Sequence, residues 1–224
     1  MWWRCCELTV GIEIKIVIVV LTACVVSAQS ATAFDYPLQQ AQVREAYFLG
    51  RTTDTQRLLG FLHQYARHLQ IPERGPDVAE IEFRTPYELA VLRSREHWTN
   101  YSAQDAERDY STHPDPVVVS VLIYRTRTFP RFCGGHSDSE GQAVRDADML
   151  WCGFRVRVMQ SQPIRPIKVG MELLSRRGTG LGGADLLAEF SASEFVSGPE
   201  RVQVEVSTPD GQTVQAAFDL EKLR

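Results

Sequence analysis

The chain has few cysteines, no excess of positive charge and no apolar run long enough to cross a membrane. It contains 5 cysteines in 224 residues, and its 24 Lys and Arg are outnumbered by 28 Asp and Glu, which gives a net charge of −4. A basic face for nucleic acid or anionic lipid is therefore not expected. The apolar run at 16–26 covers 11 residues, whereas a transmembrane helix needs about 20. These absences argue against a nucleic-acid-binding protein and against a permanent membrane anchor.

Residues 1–33 have the character of a secretory signal peptide. The apolar run is followed by small residues, and cleavage after Ala28 or after Ala33 fits the rule of small residues at −3 and −1. The sequence therefore predicts a mature protein that is periplasmic or secreted. An alternative stays open, because Leu21-Thr22-Ala23-Cys24 resembles a bacterial lipoprotein box. The protein would then be a lipoprotein anchored through Cys24, and membrane contact is expected only in that case.

Two cysteines remain once the predicted signal peptide is removed. They are Cys133 and Cys152, and in an oxidising compartment two thiols favour one disulfide. The bond would close a loop of about 19 residues and stabilise the fold by about 3 kcal/mol. The alternative is a catalytic or metal-binding thiol at Cys133, since His136 follows closely.

The first part of the mature chain, residues 34–76, is predicted to be a helical segment. Asp35 and Pro37 stand near the start of one helix, which Gly50 ends. A second helix is expected to start at the capping box formed by Thr53 and Gln56 and to carry an apolar stripe over residues 58–69. Together these patterns predict a pair of short helices.

From residue 77 onward the pattern changes to that of a β-rich domain. Residues 78–84 alternate as a strand, and Thr85-Pro86-Tyr87-Glu88 is a strong helix start. We expect an inserted helical region at about 86–110, in which one helix runs to about Trp98 and a shorter one follows from Ser102 to Tyr110. Its aromatic residues could form a partner-binding face, and the simpler interpretation is that Tyr87 and Trp98 pack onto the sheet. Six further strands are predicted at 117–126, 154–158, 167–173, 186–190, 202–206 and 214–220. The predicted fold is α+β: short N-terminal helices packed on an antiparallel, immunoglobulin-like β-sandwich spanning residues 77–224.

Both ends of the mature chain carry short motifs that resemble a known family. Residues 35–38 read Asp-Tyr-Pro-Leu, residues 44–51 read Arg-Glu-Ala-Tyr-Phe-Leu-Gly-Arg, and residues 218–220 read Phe-Asp-Leu. They are similar to an uncharacterised family of bacterial exported proteins. The resemblance implies export and carries no assigned activity, so no functional residue follows from it.

The segment 128–150 is the first candidate for a functional loop, because long connections in compact domains are often functional. Its residues His136, Asp138 and Glu140 could supply ligands or a hydrolase site, and the simpler interpretation is a solvated acidic loop. Their spacing does not match an EF-hand, and zinc would need more His or Cys close by. No metal or cofactor is therefore predicted.

A second candidate lies in the glycine-rich stretch 176–183. Arg176, Arg177 and the amide of Gly180 could hold an anion. No Lys-Ser/Thr pair of a nucleotide-binding loop is present. The glycines then serve as a flexible connection between strands, which is the simpler interpretation.

These observations favour a non-enzymatic, exported interaction module with an unidentified protein or envelope partner. The absence of a nucleophile elbow or other catalytic signature supports this hypothesis. The alternative is a hydrolase or metal-dependent enzyme that uses the 128–150 loop.

Overall fold

The computed structural model describes residues 34–97, 99–129, 153–176, 180–196, 198 and 201–224. Within these ranges the helices are α1 (Gln40–Gly50), α2 (Thr55–Leu62), α3 (Pro86–Glu96) and α4 (Ala103–Thr112). The strands are β1 (Ala66–His68), β2 (Asp77–Arg84), β3 (Val117–Tyr124), β4 (Arg155–Met159), β5 (Pro163–Ile164), β6 (Lys168–Arg176), β7 (Gly180–Phe190), β8 (Val202–Ser207) and β9 (Thr213–Phe218). None of the helices in the described ranges is long and apolar enough to cross a membrane.

The strands form two antiparallel sheets that share one core. The first sheet has the order β1-β2-β3-β7-β6, and the second has the order β5-β4-β8-β9. Strands of both sheets contribute side chains to a single hydrophobic cluster, which includes Phe83, Val121, Leu186, Val158, Val204 and Phe218. The predicted α+β class with antiparallel sheets is confirmed.

Strand β3 is central, as its apolar sequence predicts. It pairs with β2 on one side and with β7 on the other. Val117, Val119, Val121 and Ile123 are fully buried. A strand that is buried on one face and has sheet neighbours on both sides needs β-branched residues that fill a pleated surface.

The second predicted helix is shorter than its apolar stripe suggested. It ends at Leu62, and residues 66–68 form β1, which pairs with the edge of β2. The main-chain N–H of Phe83 donates to the Tyr65 carbonyl at 2.9 Å, and Tyr65 itself is buried in the core shared by the sheets. Residues 66–68 could either continue the helix or pair with the edge of β2. The pairing is the more stable alternative, so a tertiary contact outweighs the helical periodicity of the sequence. Asp54, rather than Thr53, caps the helix.

The inserted region contains two helices, α3 and α4, as the helix starts at Thr85 and Ser102 predict. Together with α1 and α2 they form a second hydrophobic cluster around Val43, Ala46, Leu58, Val91 and Ala106. Tyr87 and Tyr110 belong to this helical cluster. The expectation that Tyr87 packs onto the sheet is therefore wrong, and Trp98 lies outside the described residues. The Tyr110 hydroxyl accepts a hydrogen bond from the Leu38 main-chain N–H at 2.9 Å. Phe61 packs against both clusters and joins the helices to the sheets.

Candidate functional site: a cleft between the helices

The last turn of α1 lies close against α3 because Gly50 has no side chain. A Cβ atom at this position would lie 2.3 Å from the carbonyl oxygen of Val91. Glycine thus permits a close approach of the two backbones. The same turn leaves Phe48 61% exposed and Leu49 half-buried. Helix α1 therefore supplies an apolar wall beside α3.

Helix α2 places a cation and an aromatic ring opposite this wall. Asp54 caps the helix by accepting a hydrogen bond from the Arg57 main-chain N–H at 3.0 Å. Leu58 is buried in the helical cluster, and the neighbouring Arg57 is exposed. One turn further on, the ring of Phe61 lies 5.9 Å from the ring of Tyr87.

Arg224 is held between these elements by both its main chain and its side chain. Its main-chain N–H donates to the Tyr65 hydroxyl at 3.2 Å, and the hydroxyls of Tyr65 and Thr85 donate to its main-chain oxygen. Its guanidinium donates two hydrogen bonds to the carboxylate of Glu45, at 2.6 and 2.9 Å. The guanidinium carbon lies 4.9 Å from the centre of the Tyr87 ring. These contacts fix the side chain of Arg224 in one orientation.

Together these elements enclose a cleft of about 310 Å³, which we call the helical cleft. It is lined by Glu45, Phe48, Leu49, Thr52, Arg57, Phe61, Tyr87 and Arg224. The charges of Glu45 and Arg224 neutralise each other, since they form a bidentate ion pair. The side chain of Arg57 has no ion-pair partner among the residues that the structure describes. The cleft thus combines apolar walls with one unneutralised cation.

The one phenol in this lining stays protonated at physiological pH. Burial raises the pKa of Tyr87 to about 12, the Glu45 carboxylate adds to the shift, and Arg224 and Arg57 oppose it. A neutral phenol at the floor of the cleft serves packing and hydrogen bonding. The arrangement therefore suits the binding of an apolar group that carries a carboxylate or another anion next to it.

A second polar feature lies beneath the start of α3. Glu88 is fully buried, and no N–H or hydroxyl group of the described residues donates to either of its carboxyl oxygens. Burial raises its pKa well above the ordinary range, the Glu82 carboxyl within hydrogen-bonding reach raises it further, and Arg84 opposes the shift. Arg84 is itself paired with Glu82, with 2.7 Å between Nε and Oε2. Glu88 is closed off from solvent, so this feature bears on stability rather than on a reaction.

Most of the residues that the sequence singled out fall outside the described ranges. These are Cys24, Cys133, His136, Asp138, Glu140, Cys152 and Arg177. Arg176 ends β6 and is the register partner of Gly180, which begins β7, so the predicted anion-binding stretch connects two paired strands. No group of three or more His, Cys, Asp or Glu side chains that could hold a metal ion occurs in the described part of the chain.

The helical cleft itself was missed by sequence reasoning. Phe48 was the available signal, since it is an aromatic residue off the buried stripe of α1, which runs through Val43, Ala46 and Gly50. Arg224 could not have been found, because its hydrogen-bond partners are 139 to 179 residues away in the sequence.

Comparison of the chain with protein-family models, with curated proteins and with solved structures returned no match.

Proposed function

We propose that this chain is an exported, non-enzymatic interaction module whose helical cleft receives a segment of a partner protein. The observation that carries the proposal is the composition of the cleft. Exposed Phe48, the ring of Tyr87 and the unpaired Arg57 are brought together in one concavity. Aromatic residues and arginine contribute most of the binding energy at protein interfaces. An apolar side chain of a partner that entered the cleft would bury the exposed ring of Phe48.

The expected occupant is a large apolar side chain with an acidic residue next to it. The apolar side chain would pack between Phe48 and Phe61, and its acidic neighbour would pair with Arg57. Arg224 is less available to the partner, because both of its terminal nitrogens, Nη1 and Nη2, already donate to the Glu45 carboxylate. The ion pair instead holds Arg224 over Tyr87 and keeps that wall of the cleft in place.

The scaffold of this module is proposed to be an immunoglobulin-like sandwich. Strands β2-β3-β7-β6 follow the order A-B-E-D of that fold, and β4-β8-β9 follow the order C-F-G. In this correspondence α3 and α4 are inserted between the first two strands, β1 is an addition at the edge of β2, and β5 is an addition at the edge of β4. The sandwich would serve as a rigid base that presents the helices.

Export completes the proposal. It is supported by the apolar run and the small residues that precede Phe34. The similarity of the terminal motifs to a family of bacterial exported proteins points the same way. Membership of that family, like the disulfide between Cys133 and Cys152, is part of the proposal.

The test is a titration of the purified mature protein with a short acidic aromatic peptide, Ac-Glu-Leu-Trp-Glu-NH2, followed by NMR chemical shifts. We expect shifts at the amides of Phe48, Arg57 and Phe61. Arg57→Glu should weaken binding by about tenfold, because an attractive charge pair is replaced by a repulsive one. The control peptide, in which both Glu are replaced by Lys, should bind the wild type more weakly.

Matched variants separate the cleft from the rest of the surface. Leu59→Ser removes another exposed apolar side chain of α2, and Arg95→Glu reverses an exposed charge on α3. Neither residue lines the cleft, so both variants should bind as the wild type does. Equal losses of peptide affinity in Phe48→Ser and in Leu59→Ser would show nonspecific hydrophobic binding and contradict the proposal.

A further inference from the structure

Part of strand β4 has a sheet neighbour on one side only. All five residues of β4 are in register with β8, from Arg155 opposite Ser207 to Met159 opposite Gln203. On the other side, β5 pairs only with Val158 and Met159. Within the described residues, the stretch Arg155–Arg157 therefore presents its outer main-chain groups to no strand.

The prolines around β5 explain why the pairing stops. Pro163 opens the strand and Pro166 follows two residues after its end, and neither has an N–H to donate. Strand β5 consequently covers two residues of β4 and cannot extend along the remainder. Short edge strands and prolines normally protect a sheet from unwanted pairing. Here they leave residues 155–157 of β4 without a strand on that side, within the described part of the chain.

A pocket of about 440 Å³ lies beside this stretch of β4. Its lining consists of Val156, Arg157, Val158, Met159, Pro163, Ile164, Arg165 and Pro166. Val156, Val158 and Ile164 are buried members of the core shared by the two sheets. An apolar side chain entering the pocket would therefore extend the existing core.

The charges around the pocket are positive, although the whole chain is acidic. Arg155, Arg157 and Arg165 are all exposed. Arg157 forms an ion pair with Glu205 across the strand pair, with 3.8 Å between Nη1 and Oε1. Arg155 and Arg165 have no ion-pair partner in the described part of the chain. Three arginines within eleven residues thus form a local basic patch on an edge.

We propose that this region, the β4 edge site, binds an extended segment of a partner protein in which acidic and apolar residues alternate. Successive side chains of a strand point to opposite faces, so the apolar residues of an added strand would face the pocket and the acidic ones would face the arginines. The main-chain groups of residues 155–157 would supply the hydrogen bonds of strand addition. The β4 edge site shares no residue with the helical cleft, so the inference goes beyond the function proposed above.

The probe is a six-residue peptide of alternating Glu and Val, acetylated and amidated at its ends. Addition of the peptide should slow amide hydrogen exchange within residues 155–157, because strand pairing protects these groups. Arg155→Glu should reduce affinity by about tenfold, since an exposed ion pair becomes a repulsion. Arg95→Glu makes the same charge change on α3 and should leave affinity unchanged.

A second peptide tests the main-chain hydrogen bonds of strand addition separately from the charge interactions. N-methylation of alternate residues in the peptide blocks main-chain hydrogen bonds and keeps its side chains. We expect the methylated peptide to lose at least about tenfold in affinity. Undiminished binding of the methylated peptide would overturn strand addition.

Three further outcomes would overturn the proposal. One is protection at β1, β6 or β9 instead of β4. Another is the absence of any protection up to about 1 mM peptide, the weak end of specific recognition. The third is loss of binding in Arg57→Glu, which would place the peptide in the helical cleft. Unchanged affinity in that variant supports a separate site.

Discussion

Replacement of glycine by alanine is expected to have opposite effects on the stability of the protein at two positions in neighbouring helices. A Cβ atom at Gly50 would meet the Val91 carbonyl oxygen at 2.3 Å, whereas a Cβ atom at Gly60 in α2 meets nothing within 4 Å. Gly50→Ala should therefore lower the free energy of unfolding by about 1–3 kcal/mol through overpacking. Gly60→Ala should raise it by about 0.5–1 kcal/mol, since alanine loses less entropy in a helix.

Chemical denaturation of the two variants and the wild type measures both effects. The pair forms its own control, because each variant adds one methyl group to a helix of the same layer. A Gly50→Ala protein as resistant to denaturant as the wild type would contradict the close approach of α1 and α3 at this residue.

Glu88 is the residue whose substitution should change the pH dependence of stability. Burial raises its pKa in the folded protein, followed by the effect of Glu82. A raised pKa means that the folded state holds its proton where the unfolded state has lost it. The contribution of Glu88 to stability is therefore greatest below the unfolded pKa of about 4.3 and falls as the pH rises toward the folded value.

Glu88→Gln removes this titration. The neutral amide fits the same space, and its N–H can donate to the Glu82 carboxylate. We expect the variant to unfold at higher denaturant concentration than the wild type at pH 8, with the difference vanishing near pH 4. Glu96→Gln, at an exposed position of the same helix, should unfold at the same denaturant concentration as the wild type at both pH values. A variant that is less stable than the wild type at pH 8 would refute this assignment.

At the scale of elements, two residues that cap helices differ in the further hydrogen bonds that their side chains make. Thr85 caps α3 through the Glu88 main-chain N–H, and its hydroxyl also donates to the main-chain oxygen of Arg224. Ser102 caps α4 through the Asp105 N–H and makes only local contacts. Loss of a cap costs about 1 kcal/mol. Thr85→Ala should cost about 1 kcal/mol more than Ser102→Ala, because a further hydrogen bond is lost.

The two variants are compared by urea unfolding. Thr85→Ala should also loosen Arg224 and so weaken peptide binding in the helical cleft, whereas Ser102→Ala should leave binding intact. Equal losses of stability would mean that the contact between Thr85 and Arg224 contributes nothing.

Elements with strong local signals could be predicted from the sequence, and those made by distant contacts could not. The start of α3 follows from Thr85 and Pro86, and α4 from the cap at Ser102. Strand β1 lies in a stretch with helical periodicity, and only the edge of β2 makes it a strand. Strand β5 has two residues, too few for any pattern. The helical cleft escaped prediction because it combines α1, α2, α3 and Arg224, whose proximity is a tertiary fact.

At the scale of the whole molecule, the described strands cross between the two sheets three times, and the first crossing lies between β3 and β4. Strand β3 is central in the first sheet, and β4 belongs to the second. The sequence between them contains both cysteines of the predicted mature protein, and Cys152 comes two residues before the fully buried Phe154. A disulfide with Cys133 would shorten this crossover in the unfolded chain and so favour the pairing of the two sheets.

The predicted disulfide is tested on protein recovered from its native envelope. Intact mass with and without reduction and thiol alkylation should show a chain that starts at Gln29 or Phe34 and two thiols that react only after reduction. Reduction should lower the free energy of unfolding by about 3 kcal/mol, from the entropy of a loop of about 19 residues. The double variant Cys133→Ser/Cys152→Ser should be insensitive to reductant. Thiols that react without reduction would contradict the disulfide, and a mass increase from lipid on Cys24 would place the helical cleft and the β4 edge at a membrane surface.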